Sequence, residues 1–155
     1  MNQNAIELLK SDHDKVKHLL SELVETTSRA KKKRQELLSK IATELKIHTQ
    51  IENEIFYPAF KKAGKRDDQP IFYEAKEEHR AVELLVLPDL EKTDPESEEF
   101  SGRAKVLKEL VEHHADEEES DMFPRVKELM DHNQLMELGK LMQERKESLA
   151  SEMRH

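Results

Sequence analysis

The chain has 155 residues, of which 39% are Asp, Glu, Lys or Arg and 35% are hydrophobic. Lys+Arg number 26 against Asp+Glu 34, a formal charge of −8 that argues against a general nucleic-acid binder. Cys is 0, which excludes disulfides, thiolate zinc sites, iron–sulfur clusters and thiol catalysis, and the 3 Gly, 0 Trp and 5% aromatics favour helices over sheet.

A first helix is predicted over about Ala5 to Thr27, with Ile6, Leu9, His13, Val16, Leu20 and Leu23 on one face. The basic stretch Arg29 to Arg34 is expected to be a solvated helix end. A second stripe, Leu38, Ile41, Leu45, His48, Glu52 and Phe56, runs towards Pro58, and Gly64 to Pro70 reads as a loop. A third helix is predicted from about Ile71 to Leu87, with Phe72, Ala75, His79, Val82 and Val86 inward and Pro88 ending it. Thr93 to Ser97 supplies a capping signal for a fourth stripe, Leu107, Val111, His114, Glu118 and Met122, ahead of Pro124.

Asp131-His132-Asn133 reads as a break before a short C-terminal helix at about 133–155. The expected fold class is therefore all-α: an up-down-up-down four-helix bundle plus that short helix, in a single domain over 1–155. The longest uncharged apolar run, Leu84 to Leu87, is far short of a membrane span, and Met1 to Leu8 shows no signal-peptide pattern. A cytoplasmic protein without membrane or nucleic-acid partners is the expectation.

The chain repeats itself. His13 and His79 stand 66 residues apart, as do His48 and His114, Glu52 and Glu118, and Pro58 and Pro124. Apolar positions follow the same offset: Val16 with Val82, Ile41 with Leu107, Leu45 with Val111. Two copies of one helical hairpin, about 1–66 and 67–132, account for this. Each His lies about 15–17 residues from the middle of its hairpin, or ~22–26 Å along a helix. All four should thus reach one layer of the bundle, with Glu52 and Glu118 one turn from His48 and His114 on the inward face.

A carboxylate on an apolar stripe costs several kcal/mol unless it is paired or ligated. Four imidazoles and two carboxylates converging in a bundle suit a dinuclear metal site with two His per metal, both Glu bridging and open positions left. Such a mixed set suits iron best, with manganese or zinc as alternatives. His18 and His113 also have a Glu four residues on, but neither pair repeats; His132 and His155 are expected to be solvated.

The ordered motifs Asp12-His13, His48 to Pro58 and His113 to Glu119 resemble those of the hemerythrin-like (HHE cation-binding) family over residues 1 to about 130. The resemblance implies a four-helix bundle around a non-haem di-iron centre, two iron ions bridged by carboxylate and by oxo or hydroxo. It makes His13, His48, His79 and His114 terminal ligands and Glu52 and Glu118 bridges. It implies binding or turnover of dioxygen, hydrogen peroxide or nitric oxide in oxidative or nitrosative stress, with a non-enzymatic iron or oxygen sensor as the alternative. Catalase-like or other redox activity is left open. Oxygen-carrying hemerythrins have His-x3-His on the third helix; here the positions four either side of His79 are Ala75 and Glu83. Tyr57 or Glu83 could fill a vacancy, although Tyr57 repeats as Phe123 and is expected to pack. His113 remains an alternative to His114.

Overall fold

The computed structural model describes residues 2–154; His155, expected to be solvated, lies outside them. Five helical rods follow one another: α1 (Ala5–Glu25), α2 (31–63), α3 (69–91), α4 (98–129) and α5 (His132–Met153). No strand occurs among the described residues. A capping box starts α1, the Glu7 amide donating to Asn4 Oδ1 at 2.8 Å and the Asn4 amide to Glu7 Oε1 at 3.0 Å. Short connections make α1 to α4 an up-down-up-down bundle, in which α1 packs on α2 and α4, and α3 on α4.

Pro88, expected to end its helix, does not, and Pro58 and Pro124 also lie within helices. Each of α2, α3 and α4 contains a π-helical segment, Glu52–Phe56, Val82–Val86 and Glu118–Met122, and each segment stops two residues before a proline. Proline lacks an amide, and its ring collides with the carbonyl four residues back in an α-helix. The widened turn, closed by bonds such as Tyr57 N–H to Glu52 O, opens that spacing. So α3 passes Pro88 and ends at Glu91.

The C-terminal helix is not short. It runs for 22 residues from His132, capped by the Asp131 side chain, and lies across α1 and α2. Leu135, Met142 and Leu149 join the cluster that contains Ala5, Leu8 and Leu9. Gly139 permits the crossing, since a Cβ there would lie 2.4 Å from the Gln3 carbonyl oxygen. Arg34 departs from the solvated reading of its basic stretch. It is buried, donates to Thr26 O, Pro95 O and Ser101 Oγ, and so ties the α1–α2 turn to the α3–α4 connection.

The apolar interior is divided. One cluster gathers Val16, Leu20, Leu23, Ile41, Phe100 and Leu107 towards the hairpin turns. The other gathers Ile51, Phe56, Phe60, Phe123, Val126 and Met142. Between them, the same helices carry buried His13, His48, Glu52, His79, His114 and Glu118.

Candidate metal centre

These six residues form two overlapping groups: His13, His48, Glu52 and Glu118, and Glu52, His79, His114 and Glu118. Within each group the candidate ligand atoms lie within 4.8 Å of one another, and both Glu belong to both groups. Glu52 Oε1 is 3.0 Å from Nε2 of His48 and of His79; Glu118 Oε1 is 3.0 Å from His13 Nε2, and Glu118 Oε2 is 3.4 Å from His114 Nε2. Despite these distances, His48 Nε2 and both Glu52 oxygens are buried without a hydrogen bond. Leaving such groups unsatisfied costs about 1–3 kcal/mol each, more for charged ones. Nitrogen and carboxylate donors aimed at shared points, three of them with their own hydrogen bonds unmade, fit a pair of cations.

The outer nitrogens explain why the inner ones converge. His48 Nδ1 meets Asp12 Oδ2 at 3.0 Å and His114 Nδ1 meets Glu78 Oε1 at 2.7 Å; Asp12 and Glu78 are 66 residues apart. His13 Nδ1 meets Glu119 Oε2 at 2.9 Å and His79 Nδ1 meets Asn53 Oδ1 at 3.2 Å, and Asn53 and Glu119 are again 66 apart. Each acceptor holds a proton on its imidazole's Nδ1 and turns Nε2 towards the cluster, where a cation could take the place of a proton. Asp12, Asn53 and Glu119 fall within the motifs that carry the family resemblance and Glu78 does not, but helical spacing assigns none of the four a role. The 66-residue offset already paired them.

Tyr57 is also at the centre, contrary to its expected packing role. Its hydroxyl lies 2.5 Å from Glu118 Oε2, 3.1 Å from His79 Nε2 and 3.2 Å from His114 Nε2. In an α-helix, Tyr57 would sit about 140° around the axis from Glu52. The π segment brings the two residues onto one face. Its repeat partner Phe123 stacks on the His13 ring, with centroids 5.9 Å apart and planes at 3°.

The other candidates lie elsewhere. Glu83 is exposed on its π segment. His113 is 60% exposed and sits beside Glu117 and Glu78, outside both buried groups, whereas His114 is inside. His18 is exposed beside Glu22, and His132 is exposed in the first turn of α5 rather than in a loop.

Without a cation, protons balance the cluster. Burial opposes charge on His48 and His114, but the carboxylates overcome it: Glu52 and Asp12 hold the His48 pKa well above its ordinary value, and Glu118 with Glu78 raises that of His114 to about 10. Burial opposes charge on Glu118 too, yet the His114 and His13 imidazoles beside it hold its pKa well below the usual range. Burial and the neighbouring Glu52 and Glu118 charges push the Tyr57 phenol upward. A cavity of about 40 Å³ opens against all four imidazoles, walled by Val16, Leu45, Val82 and Val111.

Comparison with known proteins agrees with this architecture. A family model described as the hemerythrin HHE cation binding domain matches residues 4–126. An uncharacterized Mycobacterium tuberculosis protein, Rv2633c, is 32% identical over 121 residues, covering 78% of this chain and 71% of that protein. A protein named DNA nickase from Nostoc sp. is 28% identical over 127 residues, 81% of this chain, and the chain spans only 34% of its length. The crystal structure of an HHE cation-binding domain-containing protein, the Rv2633c homologue of Mycobacterium kansasii, superposes with a TM-score of 0.83 at 32% identity, covering 97% of this chain and 89% of that one. An HHE domain and a buried His/Glu cluster together point to metal binding.

Proposed function

The chain belongs to the hemerythrin HHE cation-binding family, and on that premise we propose that it holds two iron ions and binds or turns over dioxygen, hydrogen peroxide or nitric oxide. One observation carries the reading: His48 Nε2 and both Glu52 oxygens are buried and unbonded inside a doubled His2Glu2 ring. Glu52 and Glu118 would bridge, His13 and His48 would complete one position, and His79 and His114 the other. Tyr57 would add a fifth donor to the second position, where oxygen-carrying hemerythrins use an extra histidine. When bound, iron supplies Lewis acidity, redox cycling and an open position for a small ligand.

The protein's own groups do the rest. Asp12, Glu78, Asn53 and Glu119 hold the imidazoles in one tautomer. In the cation-free chain the Tyr57 hydroxyl donates to Glu118 at 2.5 Å, a proton it would give up on joining the second position. Valine and leucine side chains wall the cavity, and its volume of about 40 Å³ has room for a molecule of two to four atoms. Nucleic acid stays outside the proposed ligands because the charge is −8 and the nickase relative is matched over a third of its length.

A second reading, an iron or oxygen sensor, is favoured by the contact of α5 with the cluster through Lys146 and Asp12. Stopped-flow spectroscopy of anaerobic, iron-loaded protein against oxygen, peroxide and nitric oxide separates the readings. A stable oxygen adduct marks a carrier or sensor, and oxygen evolution from peroxide marks catalase-like turnover. A chain that takes up no iron after reconstitution would sink both.

A further inference from the structure

The pseudo-twofold symmetry of the cluster, already broken by Tyr57 opposite Phe123 and by Asn53 opposite Glu119, is broken again by a residue from outside the repeat. Asp12 and Glu78 are equivalent, each gripping an imidazole Nδ1. Glu78 is flanked by Glu117 and His113 and meets no lysine or arginine among the hydrogen bonds and ion pairs of the described residues. Asp12, 3% exposed, gives its second oxygen to the ammonium of Lys146. Lys146 is on α5, which begins after the family match ends at residue 126. Its neighbour Arg145 donates to both Glu54 oxygens at 2.9 and 3.2 Å, fastening α5 to the π segment that carries Glu52. Gly139 fixes the helix in that register.

We propose that Lys146 tempers the His48 donor: by neutralising Asp12 it lowers the cation affinity of the His13/His48 position and leaves the His79/His114 one unchanged. The proposal rests on the metal-centre reading. An ionised Asp12 pulls the Nδ1 proton and enriches Nε2, so a positive charge on its other oxygen weakens that push. The same charge repels an incoming cation directly, by an amount that grows with the cation's charge. A lysine acting only as a structural tie would behave in the opposite way, because loosening Asp12 and His48 lowers affinity.

The test is an anaerobic titration of the cation-free chain with iron(II), and separately with zinc(II), in competition with a chromophoric chelator. Lys146→Gln keeps a donor for Asp12 and removes the charge; it is expected to tighten one of two binding steps by about tenfold, leaving the other within about twofold. Lys146→Arg should match the parent. Lys140→Met, which removes a charge on an exposed part of α5, should also match it. Lys146→Met gives the same comparison if the Gln variant folds poorly. Weaker binding in the uncharged variants, an equal change in both steps, or no change overturns the proposal while leaving the two-cation reading intact. A parent chain that binds no cation overturns both.

Discussion

Tyr57 and Phe123 occupy equivalent places in the two repeats, and only one of them brings an oxygen to the cluster. The Tyr57 hydroxyl is 2.5 Å from Glu118, whereas Phe123 lays its ring on His13. Tyr57→Phe should therefore make the halves more alike. Iron-loaded Tyr57→Phe is expected to lose visible absorption attributable to a phenolate on iron and to lose about 10–100-fold in affinity at one position. Unchanged colour and affinity would return Tyr57 to a packing role.

Bridging by Glu52 and Glu118 has a stoichiometric signature. His13→Ala should leave one tightly held cation, while Glu52→Leu should weaken both, since Glu52 belongs to both groups. In the cation-free state, Glu52→Leu removes a carboxylate that holds the charged form of His48 and is expected to lower stability at neutral pH by roughly 3–5 kcal/mol. Urea unfolding in excess chelator measures this; unchanged or raised stability would show that Glu52 is not a counter-charge of His48.

Cation-free stability should fall with rising pH above neutrality. His114, about nine-tenths buried, has its pKa raised from 6.5 to about 10 when folded. A raised histidine stabilises the fold fully below pH 6.5 and loses that contribution as pH climbs towards 10. The loss is on the order of 3–5 kcal/mol at most, at about 1.4 kcal/mol per pH unit. Unfolding midpoints between pH 6.5 and 10 should fall in chelator and flatten with saturating zinc, which displaces the proton. A flat chelator profile would be inconsistent with protons balancing the cluster.

Cation addition should raise stability by mass action, by about 2.7 kcal/mol per site at one hundred times its dissociation constant. Thermal melts at stepped iron(II) or zinc(II) concentrations should climb accordingly, and chelation should reverse the gain. A midpoint indifferent to cation would mean that the folded and unfolded chains bind equally.

The two helical glycines should respond in opposite directions. Gly139→Ala places a Cβ against three backbone atoms of residues 3–5, which cannot yield without moving α5, and should cost roughly 1–3 kcal/mol. Gly102→Ala meets nothing within 4 Å inside α4 and should add about 0.5–1 kcal/mol. Paired urea melts decide, and equal effects would contradict the close crossing of α1 and α5.

Helical spacing and an internal offset carry far in this chain. They predict the bundle, the shared layer and the meeting of His13, His48, His79, His114, Glu52 and Glu118, because all six precede the points where helical phase changes. Beyond Glu52 the periodic extrapolation fails: a π turn rotates Tyr57 inward, and no propensity scale signals it. The proline six residues after each Glu is the remaining clue. Asp12, Asn53, Glu78 and Glu119 lie off the apolar stripes, so helical spacing does not pick them out, and their matched offset is what pairs them. The reach of α5 depends on a tertiary crossing at Gly139 that composition does not reveal.

The widened turns also determine where the chain tolerates a change in length. Removing one residue from 53–56 would return that stretch to ordinary helical winding and swing the following segment by about 100°. Tyr57, Phe60 and the buried face they share would turn away together, while Pro58 would meet a carbonyl it now avoids. The connection at Gly64 to Lys65 lies outside any helix and is free of that constraint. Insertions and deletions should therefore collect in that connection, and the stretch from Glu52 to Pro58 should keep its count of residues even where its side chains vary.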